Sequence, residues 1–116
     1  MKTHIDSYQF GKMVINQIEY KSDLLIIADS VHPNWRRKQG HSLSPEDLET
    51  VIAAGPSILV VGCGAYGLMD IPDQTRRFLK DLNIQLIASD THKAVQSFNE
   101  LSQKNDSLAA AFHLTC

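Results

Sequence analysis

Cysteine, net charge and long apolar runs are all scarce in this sequence, and each scarcity excludes a class of protein. Only two of the 116 residues are cysteines, so no disulfide framework or four-ligand zinc pattern can be formed, and we expect reduced thiols. Lysine and arginine number 11 against 13 acidic residues, and the net charge of -2 argues against a nucleic-acid partner. No apolar run approaches the roughly 20 residues that span a bilayer.

The start of the chain and its length narrow the class further. The first ten residues, MKTHIDSYQF, lack the apolar core of a signal peptide. A chain of 116 residues, 43% of them hydrophobic, can bury the core of one compact domain but leaves no room for a second. We therefore expect a single cytoplasmic domain over residues 1–116, with no membrane association.

The stretch Ile58–Gly67, ILVVGCGAYG, is the feature around which the chain is organised. Its first four residues are apolar and three of them are β-branched, which predicts a buried strand. Gly62, Gly64 and Gly67 follow directly and predict a tight turn at the end of that strand. We expect Gly64 to have a positive φ or a close backbone contact.

The three glycines also spell G-x-G-x-x-G, the spacing that holds a dinucleotide pyrophosphate. That function requires the following helix to begin inside the motif, where its N-terminal amides meet the phosphates. Pro72 instead predicts a helix that begins well after Gly67, because proline is tolerated only in the first turn. We therefore expect no NAD, NADP or FAD, and no other cofactor.

The remaining signals predict an α/β fold, with a mainly parallel mixed sheet flanked by helices and an N-terminal antiparallel β addition. Within this sheet, we expect the strand at Asp23–Asp29 to be the neighbour of the strand Ile58–Val61. The predicted elements are a hairpin of Ile5–Phe10 and Met13–Tyr20, a strand at Asp23–Asp29, a structured loop or edge strand at Val31–His41, a helix capped by Ser44 that ends near Ala54, a helix from about Pro72 or Asp73 to Leu82, a strand at Gln85–Ser89, a helix from Thr91 to about Gln103, a polar turn at Lys104–Ser107 and a final strand at Leu108–Cys116.

Motifs spread over nearly the whole chain match those of one protein family. They are Trp35-Arg36 with Gly40-His41, Pro56-x-x-Leu59-Val60-Val61-Gly62-x-Gly64, Pro72, Thr91-x-x-Ala94-x-x-x-Phe98-Asn99-x-Leu101, and Phe112-His113-Leu114-Thr115-Cys116. In these motifs the chain resembles the small MTH-type domain family of unknown function. That family includes a human adipogenesis-associated protein and, more distantly, an assembly factor of mitochondrial respiratory complex I. The resemblance implies a three-layer α/β fold and no established catalytic activity.

Two segments carry the candidate site residues. Cys63 lies between two glycines whose amides could lower the pKa of its thiol, which makes it a weak candidate nucleophile. Arg36 and Arg37 follow Trp35 in a cationic segment that could gather an anion or could simply be solvated. If the strand Asp23–Asp29 is parallel to Ile58–Val61, both segments emerge at the same sheet edge, and we expect a site for a carboxylate or phosphate formed by Arg36, Arg37, Gly62, Cys63 and Gly64.

Two functions from different classes remain open. The first is a non-enzymatic binding or adaptor protein with protein partners, for which an exposed apolar patch would be the evidence. The second is a small anion-binding protein or enzyme, for which a deep pocket joining the two segments would be the evidence. We expect no metal site, because the histidines show no ligand spacing and His113 and Cys116 alternate to opposite faces of a strand.

Overall fold

The computed structural model describes residues 3–104 and 107–116, which form eight strands, one 3-10 helix and three α-helices. In chain order they are β1 (Ile5–Gln9), β2 (Lys12–Ile15), β3 (Ile18–Tyr20), β4 (Leu24–Ile27), β5 (Ser30–Pro33), the 3-10 helix (Pro45–Leu48), α1 (Glu49–Ala53), β6 (Ile58–Cys63), α2 (Asp73–Asp81), β7 (Gln85–Ser89), α3 (Thr91–Ser102) and β8 (Leu108–His113). The polar turn expected at Lys104–Ser107 includes residues 105 and 106, which lie outside the described residues. Within the described ranges, no helix has the length and hydropathy to cross a bilayer.

The strands form two sheets. The larger has the order β5-β4-β8-β6-β7, in which β6 is parallel to both β7 and β8 while β4 is antiparallel to both β5 and β8. The smaller sheet consists of β1, β2 and β3, all antiparallel. The predicted α/β class is therefore confirmed, with three mutually parallel strands in the larger sheet and an antiparallel addition before them.

Two layers cover the larger sheet. The 3-10 helix, α1 and α2 pack on one face through Leu48, Val51 and Leu79. On the other face lie α3, through Phe98, and the N-terminal sheet, through Met13. This is the three-layer arrangement that the family resemblance implies, and it buries both faces of β6 and β8.

The prediction that β4 is the neighbour of β6 was wrong, because β8 lies between them. The register pairs Leu59 and Val61 of β6 with Ala109 and Ala111 of β8, and Ala111 in turn pairs with Leu25 of β4. Consecutive strands are usually neighbours, which favoured the wrong order. The small alanines of β8 fit the middle of the sheet, where layers press on both faces.

Two predicted elements are each divided in the structure. Met13–Tyr20 forms two strands instead of one, because Asn16 and Gln17 have positive φ values of 47° and 70° and form a turn between β2 and β3. The helix after Ser44 begins as a 3-10 turn before it continues as α1. Asp47 closes this start, since its Oδ2 accepts from the Ser44 backbone N–H at 2.9 Å.

The glycine turn is tight, as expected. Gly64 has a φ of +100°, and a Cβ at this position would overlap the backbone of Cys116. A Cβ at Gly62 would lie 2.7 Å from Phe112 Cδ1 and 2.8 Å from Thr91 Oγ1. Both glycines are therefore required by close packing within the chain itself.

We expect Gly64→Val to lower the free energy of unfolding by about 1 to 3 kcal/mol, because a β-branched residue is strained at positive φ and has no space here. Urea denaturation of the two proteins measures the difference. Gly40→Ala is the matched control, since this glycine has open space around it and no positive φ. Equal stability of Gly64→Val and the wild type would contradict the tight turn.

Candidate functional site

The two candidate segments do meet at one edge of the larger sheet, but for a different reason than expected. Strand β4 is antiparallel to β6, so the carboxyl end of β4 lies at the edge of the sheet opposite to the glycine turn. The β4–β5 hairpin then returns the chain, because Pro33 pairs with Leu24, which in turn pairs with Phe112 near the end of β8. The cationic segment after β5 therefore emerges beside the carboxyl ends of the parallel strands, where the glycine turn lies.

The backbone donors of the glycine turn are used within the chain. The N–H of Gly64 donates to Thr91 Oγ1 at 2.9 Å, and the N–H of Ala65 donates to the Thr115 carbonyl at 2.6 Å. The N–H of Leu68 donates to the Cys116 carbonyl at 3.2 Å. These three donors, of which Gly64 belongs to the expected anion site, thus hold α3 and the C-terminal segment. Helix α2 begins at Asp73, as Pro72 predicted, well outside the motif.

A buried polar cluster of Asp23, Arg37 and His113 lies at the same edge. Asp23 Oδ2 is 2.9 Å from Arg37 Nη2 and 2.8 Å from His113 Nδ1, while Arg37 Nη2 and His113 Nδ1 are 3.0 Å apart. The side chains of Arg37 and His113 are only 4% and 6% exposed. Arg37 also donates to the Gly40 carbonyl from Nη2, at 2.9 Å, and its guanidinium stacks on Trp35 at 4.6 Å from the ring centroid.

The cluster keeps Asp23 ionised. Burial by itself would raise the pKa of this carboxyl group, but hydrogen bonds from His113, from the Leu114 N–H at 2.7 Å and from Arg37 outweigh it, and the pKa is lowered overall. A charged Asp23 therefore links the start of β4 to the end of β8.

Arg36 and Arg37 have different environments, although the sequence treats them alike. Arg36 is exposed, whereas Arg37 is committed to Asp23 and Gly40. We therefore expect removal of Arg36 to leave the fold intact and removal of Arg37 to destabilise it. A buried ion pair that loses one partner leaves the other charge without compensation.

Cys63 is buried beside the cluster. It pairs with His113 in the parallel register of β6 and β8, so the two side chains share one face of the sheet. Burial raises the pKa of the Cys63 thiol, and the nearby Arg76 charge offsets this only in part. The thiol is thus protonated at neutral pH, which disfavours the nucleophile hypothesis.

The histidine that a carboxylate orients beside Cys63 was not predicted from the sequence. Asp23 immediately precedes one apolar strand and His113 ends another, and such polar residues at strand ends were the available signal. Recognising the pair required the strand order, since only the position of β8 between β4 and β6 brings Asp23, His113 and Cys63 into one row. No group of three or more potential metal ligands is present in the parts of the chain that the structure describes.

Three exposed apolar side chains, two of them in contact, lie next to this edge. The rings of Phe10 and Tyr66 have centroids 6.1 Å apart, and Leu68 follows Tyr66 in the same turn. All three side chains are exposed, and that of Tyr66 is 71% exposed. We call Phe10, Tyr66 and Leu68 the apolar surface.

Two cavities of about 210 Å³ lie elsewhere. One is lined by Ile27, Pro56 and Leu108 at the opposite edge of the sheet. The other lies between Lys38 and Pro72, at the start of α2. Neither cavity joins the cationic segment to the glycine turn.

The chain and its fold are similar to known proteins. Residues 5–113 match the model of a family described as a protein of unknown function, DUF498/DUF598. The structure is similar to a protein designated MT938, with 26% identity, 98% of this chain and 99% of that chain covered, and a TM-score of 0.81. It also resembles a Bordetella pertussis protein described as a Mth938-like domain, with 15% identity, 97% and 85% covered, and a TM-score of 0.71. A Bartonella henselae protein described as an outer membrane protein shares the fold, with 21% identity, 99% and 97% covered, and a TM-score of 0.83.

We expect Arg37→Ala to lower the free energy of unfolding by about 3 kcal/mol, near the lower limit for breaking a buried ion pair, because Asp23 keeps its other two donors. Arg36→Ala also removes a cation, one residue away, but should change the free energy of unfolding by less than about 0.5 kcal/mol. Thermal or urea denaturation of both variants makes the comparison. Equal losses would show that the Arg37–Asp23 pair is not structural.

The lowered pKa of Asp23 predicts how stability depends on pH. The folded protein keeps this carboxylate charged where the unfolded chain begins to protonate it, so its contribution is complete above the unfolded pKa of about 4 and is lost as pH falls through the folded pKa. In urea titrations between about pH 5 and about pH 3, the wild type should therefore lose more stability than Asp23→Asn.

Asp81→Asn removes an exposed carboxylate and is the control for that titration. Its stability should follow the wild-type pH profile. Parallel profiles for the wild type and Asp23→Asn would contradict the electrostatic role of Asp23.

Proposed function

The chain belongs to the DUF498/DUF598 family of proteins of unknown function, and we propose that it is a non-enzymatic binding or adaptor protein. Its partner is another protein, which docks on the apolar surface of Phe10, Tyr66 and Leu68. We propose that this occurs in the cytoplasm, in a single domain that spans the chain. The buried and protonated Cys63 supports a role without covalent chemistry.

The exposed aromatic pair is the observation that carries the proposal. Soluble proteins scatter single apolar residues over their surfaces, whereas adjacent aromatic and aliphatic side chains are typical of binding surfaces. Tyrosine and phenylalanine bring large contact areas, and tyrosine is common among the residues that dominate interface energies. The ring contact between Phe10 and Tyr66 joins the β1–β2 turn to the glycine turn, so one partner would contact both.

The family resemblance supports the same role. The chain resembles the family that includes the human adipogenesis-associated MTH-type domain protein and, more distantly, an assembly factor of mitochondrial respiratory complex I. Relatives that act in assembly and regulation do so by binding other proteins. We propose that this chain shares that mode of action.

The second candidate function is that of a small anion-binding protein or an enzyme. Arg37 and the glycine turn lie at the same edge of the sheet, which favours it. However, the amides of Gly64 and Ala65 and the Nη2 atom of Arg37 already have partners within the chain. An anion bound there as the sequence suggested would have to displace these contacts, so we prefer the adaptor function.

A photo-crosslinking residue in place of Tyr66 or Leu68 tests the adaptor proposal. In cells of the source organism, both positions should capture the same protein, which mass spectrometry identifies. With that protein purified, Tyr66→Ser and Leu68→Ser should each weaken binding about tenfold or more, because they remove a buried apolar contact.

Ile18 provides the matched control, since it is 57% exposed, close to the 59% of Leu68, but lies on the outer strand β3 of the N-terminal sheet. A crosslinker at position 18 should not capture the partner, and Ile18→Ser should bind it as the wild type does. Equal capture at positions 18 and 68 would contradict a specific surface. Self-association abolished by Tyr66→Ser would identify a second copy as the occupant and would also contradict the adaptor function.

A further inference from the structure

Two buried nitrogen atoms in the polar cluster have no hydrogen-bond partner among residues 3–104 and 107–116. They are Nη1 of Arg37 and Nε2 of His113, and both are inaccessible to solvent. A buried polar atom without a partner costs free energy, and such atoms are rare in native proteins. The two atoms belong to side chains that are in contact, since Arg37 Nη2 lies 3.0 Å from His113 Nδ1.

The contacts of the other ring nitrogen define what His113 Nε2 can do. Asp23 is ionised and accepts hydrogen bonds only, so at 2.8 Å from its Oδ2 the Nδ1 of His113 carries the proton. His113 Nε2 is then an acceptor when the ring is neutral and a donor when it is protonated. Arg37 Nη1 is a donor in both states.

We propose that Arg37 Nη1 and His113 Nε2 form a binding site for a small monocarboxylate, which binds together with one proton. One carboxylate oxygen accepts from the guanidinium and the other accepts from the protonated imidazole. No covalent bond forms or breaks, and the proton taken from solvent remains on His113. The site is separate from the apolar surface, so it does not depend on the adaptor function.

The charges of the cluster favour a monoanion over other ligands. Asp23 and Arg37 neutralise each other, so uptake of a proton by His113 leaves a single positive charge for the ligand. A doubly charged phosphate or sulfate would keep one negative charge without a positive partner, next to the Asp23 carboxylate. A planar carboxylate also matches the planar donors of arginine, which a neutral amide matches less well because it has one oxygen.

The neighbouring turn provides the route of entry. His41 is exposed, its ring lies edge-on to that of His113 with centroids 5.9 Å apart, and its Nε2 is 3.8 Å from Cys116 Sγ. His41 lies in a turn that is closed by a hydrogen bond from the Ser42 N–H to the Gln39 carbonyl, at 3.2 Å. Entry of the ligand requires displacement of the His41 side chain and of this turn, which breaks the contact of Arg37 with the Gly40 carbonyl and the hydrogen bond from the Asp70 N–H to the His41 carbonyl but none within the sheets.

The ionisable groups in contact with His113 or with its direct neighbours come from several elements. They are Asp23 before β4, Arg37 and His41 after β5, Cys63 at the end of β6, and Cys116, which contacts His41. Tyr8 of β1 and Arg76 of α2 lie further out, near Asp23 and Cys63. Cys63 is a neutral thiol, and Asp23 and Arg37 keep their charges near neutral pH. The proton taken up on binding therefore resides on a histidine, and NMR distinguishes His113 from His41.

Titration of the wild-type chain with acetate, followed by ¹H–¹⁵N NMR of the histidine ring nitrogens, tests the proposal. We expect a saturable response of His113 Nε2 with a millimolar dissociation constant, since acetate is a very small ligand. The affinity should fall as the pH is raised, because each bound acetate requires one proton. Acetamide and sulfate should produce no saturable response at His113.

Variants add a second test. Arg37→Lys keeps a cation for Asp23 but removes Nη1, and it should weaken acetate binding about tenfold or more. Arg36→Ala should bind as the wild type does. The wild-type titration decides the question even if Arg37→Lys does not fold. A lack of saturable response at His113, an affinity independent of pH, or equal binding of sulfate would overturn the proposal.

Discussion

The carboxylate of Asp23 is the contact on which the edge of the sheet depends. One of its oxygens accepts from the Leu114 N–H, and the other contacts Arg37 and His113. It thereby joins the start of β4, the end of β8 and the loop after β5, three segments far apart in the sequence. Because these contacts outweigh the cost of burial and keep Asp23 ionised, the same group that fixes the strands also sets the charge of the candidate site.

The elements with strong local signals could be predicted from the sequence. Helix α3 begins at Thr91 because Asp90 accepts from the Lys93 N–H at 3.0 Å, a cap that can be read from residue types alone. Strand β7 has its predicted bounds, and Pro72 fixes the start of α2 because proline cannot lie deeper in a helix. Such signals act over a few residues, so they need no knowledge of the fold.

The strand order and the polar cluster could not be predicted in the same way. Strand β8 lies between β4 and β6, where its small residues allow layers to pack on both faces of the sheet. This packing is a property of the whole sheet. Without that order, Asp23 and His113 are only polar residues at strand ends. Arg37 and Arg36 are likewise equivalent in the sequence, and only the path of the chain after β5 determines which of them is buried.

The glycine motif illustrates how one spacing can meet different physical needs. In a dinucleotide-binding fold, a pyrophosphate needs the close approach and the free amides. In this chain Phe112 and Thr91 approach Gly62, and the carbonyls of residues 115 and 116 accept from the turn. These contacts use the donors that a phosphate would need, but they also hold the turn that carries Tyr66 and Leu68. Since less conformational entropy is lost when an ordered turn binds, the packing that opposes a cofactor function also favours the apolar surface as a docking site.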